Sequence, residues 1–128
     1  MKPNDINYYK LKTILLSMGI DAKRSDCGNF AEAFSKMFGG KVHCSYENYG
    51  FYSEGEPAHC MVKYKGKYID IDGVHNSIQR LKDYAFNEMF PEDEKDIQID
   101  KTGHPNAYKA IRNETTIKKI EKVLREFV

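Results

Sequence analysis

The sequence predicts an α+β domain in which helices pack on an antiparallel β-sheet. Apolar residues recur at helical spacing near both ends of the chain, and apolar and polar residues alternate between them as in half-buried strands. The 128 residues are enough for one hydrophobic core and too few for two. We therefore expect a single domain over residues 1–128.

Two helices are predicted before the first strand. The first begins at a cap, Asp5, and ends at Gly19, because Asp favours helix starts and Gly favours helix ends. The second begins after Ser25 or Asp26, both of which are good cap residues. Cys27 therefore falls in the first turn of a helix whose other face is apolar.

The middle of the chain predicts three strands. Residues 41–47 alternate between apolar and polar side chains. Residues 58–64 and 67–72 do the same on either side of a two-residue turn at 65–66. The second and third strands are thus expected to form a hairpin.

One face of this hairpin carries residues suited to catalysis. The alternation places His59, Asp70 and Asp72 together on the face opposite the apolar one. With a two-residue turn, His59 lies directly across from Asp72 and diagonally from Asp70. The assignment of the face depends only on the alternation, whereas the pairing also depends on the turn.

Further elements are predicted after the hairpin. Ser77 caps a helix that extends to about residue 86, residues 97–99 form a short strand, and Pro105 opens a short helix. The last helix covers residues 116–127, where apolar side chains recur at helical spacing. We expect that apolar stripe to pack in the core.

Composition and charge exclude several classes of protein. Twenty basic and nineteen acidic side chains give a net charge of +1, so nothing favours binding to nucleic acid or to an anionic membrane. No apolar run is long enough to span a membrane, and the first residues lack the pattern of a secretory signal. The three cysteines have no framework-like spacing, so we expect reduced thiols in a cytoplasmic protein.

Cys27, His59 and an aspartate have the chemistry of a nucleophilic triad. A cysteine attacks as the thiolate, which a helix N-terminus stabilises through its unpaired amides and its dipole. A nearby imidazole takes the thiol proton, and a carboxylate behind the imidazole fixes its tautomer. Asp70 and Asp72 are both candidates for that carboxylate. The amides at the helix start, including that of Cys27, are candidates for binding an oxyanion.

Three short segments carry a resemblance to a known family. They are Asp-Cys-Gly-Asn-Phe-Ala at 26–31, His-Cys-Met-Val at 59–62 and Gly-Lys-Tyr-Ile-Asp-Ile-Asp-Gly at 66–73. Together they resemble the papain-like cysteine peptidase superfamily in its broad sense, which includes transglutaminase-like folds and small bacterial and phage members. The resemblance covers residues 25–73 and implies a small papain-like core, with a cysteine at the start of a helix that packs on an antiparallel sheet.

The resemblance also implies a role for each candidate residue. Cys27 is then the nucleophile, His59 the general base and acid, and an aspartate the group that orients the imidazole. The Asp-x-x-Gly pattern of the superfamily favours Asp70, through Gly73, whereas the hairpin register favours Asp72. We prefer Asp72 slightly and keep both aspartates as candidates.

The chain departs from the superfamily before its cysteine. Papain-type enzymes place a glutamine there for the oxyanion hole, and residues 19–26 contain none. Either a backbone amide takes that role or the fold serves another acyl transfer. We therefore expect thiol chemistry on an amide or isopeptide carbonyl, as a protease, deamidase or acyl transferase, with a protein or peptide substrate and no cofactor.

A zinc site is the main chemical alternative to a catalytic Cys27. Cys27 and the pairs His43-Cys44 and His59-Cys60 offer suitable ligands. Neighbours on a strand point to opposite faces, so neither pair readily chelates one ion, and no spacing is of the CxxC type. We therefore expect no metal, and we expect Cys44 and Cys60 to be core residues.

A different class of function also fits the sequence. In this alternative the chain is a non-catalytic binding or inhibitor protein, of a kind that a phage or plasmid encodes, and uses segment 48–57 for contact. A Cys27 sulfur within reach of His59 in an open groove would favour the enzyme, and a buried or distant Cys27 would favour the binder. No role is assigned to His75 or His104, and nothing indicates an oligomeric state.

Overall fold

A computed structural model describes residues 3–47, 59–83, 97–103 and 112–127. Their elements are, in chain order, a 3-10 turn at Pro3–Asp5, helices α1 (Tyr8–Ser17) and α2 (Cys27–Phe38), strands β1 (Lys41–Glu47), β2 (His59–Tyr64), β3 (Lys67–Asp70), β4 (Gly73–His75) and β5 (Ile97–Gly103), and helix α3 (Glu114–Arg125). Residues 79–83 are also helical. No helix within these ranges is long and apolar enough to cross a membrane.

The strands of the described ranges form one antiparallel sheet in the order β4-β3-β2-β1-β5. β1 pairs with both β2 and β5, and β3 pairs with both β2 and β4. α2 packs on the sheet, and α3 packs on α2. The architecture is therefore the predicted α+β class, with helices on an antiparallel sheet.

Apolar side chains of α2, α3 and the sheet form the core. α2 buries Phe30 and Phe34, and the Phe34 ring meets Tyr64 of β2 edge-on, with the ring centroids 6.4 Å apart. Burying a side chain of this size stabilises a fold by about 1.5–3 kcal/mol. The apolar stripe predicted for the last helix is buried as well, at Ile117, Ile120, Val123 and Leu124.

The β2–β3 hairpin has the predicted two-residue turn. Lys65 and Gly66 have φ angles of 46° and 79°, and positive φ at both central residues matches the right-handed twist of the flanking strands. The register pairs Val62 with Ile69, as this turn requires. The faces predicted for the two strands follow from that register.

β3 ends at Asp70, two residues before its predicted end. The Asp70 Oδ1 accepts a hydrogen bond of 2.9 Å from the backbone N–H of Asp72, which closes an Asx turn. Gly73 follows with a φ of 122°, a conformation that glycine adopts most easily, and β4 returns beside β3. Because of this turn, the β2–β3 ladder stops before His59 and Asp72 can pair.

Other element boundaries differ from the predicted ones by a few residues. Asn7, rather than Asp5, caps α1, and Asn113 starts the last helix earlier than predicted. β5 extends the predicted short strand as far as Gly103. The predicted contact segment 48–57, the helix beyond residue 83 and the helix opened by the proline at position 105 lie outside the described residues.

Candidate active site

His59 and Asp70 form a buried hydrogen-bonded pair. His59 is the first residue of β2 and Asp70 is the last residue of β3, so the hairpin carries both on the face predicted to be polar. The His59 Nε2 lies 2.8 Å from the Asp70 Oδ2, and the two side chains are 0% and 2% exposed. The structure thus joins two of the predicted site residues directly.

The preference for Asp72 as the partner of His59 is wrong. Asp72 lies in the turn after β3, where its carboxylate faces solvent and three cations. Asp70, the other candidate, is the aspartate that contacts His59, because the Asx turn redirects the chain before Asp72. The cations that pair with Asp72 are Arg80 at 2.5 Å, Lys12 at 3.4 Å and Lys23 at 3.6 Å.

Four donors surround the Asp70 carboxylate. His59 and the Arg80 Nε, at 2.7 Å, share Oδ2. The His75 Nε2, at 2.8 Å, and the backbone amide of Asp72 share Oδ1. Burial alone would raise the pKa of Asp70, but the hydrogen bonds from these side chains and the charge of His59 hold that pKa well below its usual range. Asp70 is therefore ionised at neutral pH, with both of its oxygens engaged.

The Asp70 carboxylate determines the tautomers of the imidazoles that contact it. A carboxylate accepts hydrogen bonds and cannot donate them, so the ring nitrogen that faces Asp70 carries the proton. For His59 that nitrogen is Nε2, and in the neutral ring Nδ1 then holds the lone pair. A carboxylate in this position would stabilise an imidazolium at His59 if the ring took up a second proton.

Cys27 is the first residue of α2 and is only 1% exposed. Burial raises the pKa of its thiol to about 12, although backbone amides of Cys60 and Gly28 donate toward the sulfur and oppose the shift. The thiol is therefore protonated at neutral pH in this state. A buried Cys27 is the outcome that favours a binding protein over an enzyme.

The Cys27 sulfur lies beside the strand that carries His59. The amide of Cys60 that donates toward the sulfur belongs to the residue directly after His59 on β2. The start of α2 and the start of β2 therefore meet at this sulfur. The structure brings the Cys27 thiol to β2 and joins His59 to Asp70, and it places Asp72 outside that pair.

The backbone amide of Cys27, one of the amides predicted to bind an oxyanion, is engaged within the chain in this structure. It donates to the carbonyl oxygen of Arg24 at 3.2 Å, because residues 22–26 wind into turns just before α2. Asp26 precedes the helix as predicted, but its carboxylate accepts from the side chain of Asn29 at 3.0 Å instead of capping the helix amides. The predicted capping of α2 by the Asp26 side chain is therefore wrong, whereas the oxyanion role of the amides at the helix start stays a prediction.

Asn29 is a buried residue near the site whose role was not predicted from the sequence. Its side-chain oxygen accepts a hydrogen bond of 2.9 Å from the backbone N–H of Asn113, while its amide nitrogen binds Asp26. Asn29 thus ties the first turn of α2, where Cys27 lies, to the start of α3. The available signal was a polar amide in the apolar first turn of a helix.

Cys44 and Cys60 form a disulfide between β1 and β2. The two residues are paired directly in the strand register, and both are buried. The prediction that they are core residues is therefore confirmed. The prediction that they are reduced is wrong, because the register holds the two sulfurs face to face.

The disulfide also affects the alternative of a zinc site. Its two sulfurs are bonded to each other, which removes two of the soft ligands that a zinc site would use. Across the ranges that the structure describes, no three His, Cys, Asp or Glu side chains are grouped to hold a metal ion.

His75 and Arg80 also contact Asp70, and neither was predicted to be a site residue. β4 is only three residues long, too short for alternation to indicate a strand, so His75 had no predicted position against Asp70. Arg80 lies in the helical residues after Ser77, whose hydroxyl accepts from the Gln79 amide at 3.0 Å as the predicted cap. The contact of Arg80 with Asp70 depends on how that helix packs, which no local pattern shows.

Comparison with protein-family models, with curated proteins and with solved structures finds no match to this chain. The chemistry that the arrangement can support follows from its own residues. An imidazole backed by a carboxylate can take a proton from a thiol that lies beside its strand, support attack of the thiolate on a carbonyl, and return the proton to a leaving group.

Proposed function

We propose that this chain is a cysteine-nucleophile enzyme of the papain-like superfamily in its broad sense, acting on an amide or isopeptide carbonyl. Cys27 is the nucleophile, His59 the general base and acid, and Asp70 the orienting group. The observation that supports it is the buried 2.8 Å hydrogen bond between His59 and Asp70, on the strand whose backbone lies against the Cys27 sulfur. Burying such a pair costs desolvation energy, and a catalytic role accounts for that cost.

The proposed reaction begins with transfer of the Cys27 thiol proton to the Nδ1 of His59. The thiolate attacks the carbonyl carbon, His59 gives its proton to the leaving amine, and a thioester forms as the amide C–N bond breaks. Water activated by His59 then hydrolyses the thioester, and a second amine in place of water gives acyl transfer. Asp70 stays ionised and stabilises the imidazolium form of His59.

The described state is the resting form in this proposal. Because Cys27 is covered and its thiol is protonated, an electrophile has to gain access to the sulfur before it can react. Binding energy from remote parts of a substrate can supply that change. A peptide electrophile is therefore expected to react faster than a small one that lacks binding groups.

A non-catalytic binding protein with the same fold is the second candidate. The burial of Cys27 favours it, since a covered thiol with a raised pKa reacts slowly. In that case the His59–Asp70 pair has a structural role, in which it links β2 to β3 and, through Arg80, to the helical residues 79–83.

The two candidates are distinguished by labelling with a mixture of peptidyl vinyl sulfones, read by intact mass under non-reducing conditions. Cys27 is the free cysteine among the three, so an added mass reports on its sulfur. The enzyme proposal expects no labelling of Cys27→Ala and labelling of His59→Ala that is slower by about 100-fold or more. Asp72→Asn is the matched control and is expected to label at the wild-type rate.

Two outcomes would reject the enzyme. One is equal labelling of wild type and His59→Ala. The other is no labelling of the folded wild type by reagents that label the same chain in urea. Recovery of one partner protein in equal amounts by wild type and by the Cys27→Ala and His59→Ala variants would favour the binding protein.

A further inference from the structure

The carboxylate of Asp70 connects two imidazoles that differ in access to solvent. Its Oδ2 binds His59, whose side chain is 0% exposed, and its Oδ1 binds His75, whose side chain is 25% exposed. His75 reaches this position because β4 pairs with β3, which sets Gly73 opposite Asp70. A buried imidazole and a solvent-accessible one therefore share a single negative charge.

We propose that His75 is a positioning residue that makes the basicity of His59 depend on the protonation of His75, through Asp70. This proposal rests on the proposed function, in which His59 is the base. While His75 is neutral, its Nε2–H holds Oδ1 and the carboxylate charge supports an imidazolium at His59. Once His75 is protonated, two imidazolium ions share one carboxylate and repel each other, so His59 becomes harder to protonate.

Few of the other groups around His75 change charge near neutral pH. Arginine stays protonated there, which applies to Arg80 on Oδ2. Burial and the charge of Asp70 raise the pKa of Tyr8 well above its ordinary value, so that its hydroxyl stays neutral. Among the described residues, other ionisable groups on elements that pack against β4 include Tyr68, opposite His75 on β3, and Asp5 in the 3-10 turn that contacts β4. Lys67 of β3 binds Asn76, the neighbour of His75, and keeps its positive charge near neutral pH, and Asp72 is bound by Arg80.

Imidazole ¹⁵N NMR of wild type and His75→Gln, recorded from about pH 4.5 to about pH 8.5, tests this coupling. Glutamine keeps an N–H donor for Oδ1 but does not titrate. The midpoint of His59 is expected to rise by about one pH unit in His75→Gln, the size of the repulsion between two charges held on one carboxylate. An unchanged His59 midpoint, with the Nε2–H tautomer intact, would overturn the proposal.

Asn76→Ala is the matched control. Asn76 is the exposed neighbour of His75, and its side chain binds Lys67 at 2.5 Å, so its removal is expected to leave the His59 midpoint at the wild-type value. If His75→Gln does not fold, the titration of His59 and His75 in the wild type still tests the proposal. Titration of His59 and His75 in two coupled steps supports the proposal, and two independent single steps overturn it.

Peptide labelling separates this proposal from the enzyme assignment. A shifted His59 midpoint in His75→Gln, found together with a Cys27 that no peptide electrophile labels, would support the coupling and reject the enzyme. Labelling that depends on His59, found together with an unshifted midpoint, would support the enzyme and reject the role of His75.

Discussion

The candidate site has two halves, the β2–β3 hairpin with His59 and the start of α2 with Cys27, and they differ in whether their reactive groups are in place. The β2–β3 hairpin holds His59 against an ionised carboxylate that has four donors of its own. The start of α2 holds a thiol that is covered, and the amides that donate toward it do not offset the effect of burial on its pKa. The fold itself therefore builds the half that contains His59 and Asp70, the base half of the proposed site, whereas Cys27, the nucleophile half of the proposed site, is covered in this state.

Asp70→Asn is expected to have the largest effect on stability, because it breaks the base half. A neutral amide leaves Arg80 and two imidazoles without their carboxylate, and losing one partner of a buried ion pair costs about 3–5 kcal/mol. Urea unfolding at neutral pH measures this loss. Asp72→Asn is the control, since its exposed ion pairs are expected to contribute less than about 1 kcal/mol. Equal losses of unfolding free energy in the two variants would contradict the expectation that buried Asp70 stabilises the fold more than exposed Asp72.

Reduction of the Cys44–Cys60 disulfide is expected to have the next largest effect on stability. The bond lies in the sheet against which both halves of the site are built. The bond spans 16 residues of chain, and closing a loop of that size contributes about 3 kcal/mol in the chain-entropy account. Dithiothreitol should therefore lower the urea midpoint of wild type and leave that of a Cys44→Ala/Cys60→Ala double variant unchanged. Three reactive thiols in the denatured, unreduced chain, instead of the single Cys27 thiol, would contradict the disulfide.

Acid is expected to lower the free energy of unfolding through Asp70. This effect is smaller than that of the Asp70→Asn substitution or of reduction, and it develops only at low pH. The folded pKa of Asp70 lies below its unfolded value, so its stabilising contribution is complete above the ordinary Asp pKa of about 4. The contribution is lost as the pH falls below that value. The free energy of unfolding should thus fall more steeply in wild type than in Asp70→Asn below about pH 4. Parallel curves would assign the acid sensitivity to other groups.

The contrast between the two halves also shows what the sequence could predict. The face of the hairpin was predictable, because alternation with a period of two puts His59 and both aspartates together. The choice between the aspartates depended on an Asx turn and on the three-residue strand β4, which have almost no pattern of their own. The Asp-x-x-Gly pattern of the superfamily that the chain resembles indicated Asp70, and Gly73 with its φ of 122° is where the chain turns into β4.

The state of the cysteines depended on tertiary structure. Cys44 and Cys60 are seen to face each other only once the register of β1 and β2 is known, and a long segment joins these strands in the sequence. The position of Cys27 at a helix start follows from local signals around Asp26. What covers the first residue of that helix depends on packing with distant parts of the chain, and no local signal indicates it.

The rate of Cys27 alkylation by iodoacetamide, measured as a function of pH, tests the contrast between the halves most directly. With a thiol pKa of about 12, the folded chain should react at neutral pH on the order of a thousandfold more slowly than the unfolded chain, because only the thiolate reacts. Its rate should rise steadily as the pH increases. A rate near pH 6 that equals or exceeds that of the unfolded chain would show a thiol that is already ionised beside His59, and would contradict a dormant nucleophile.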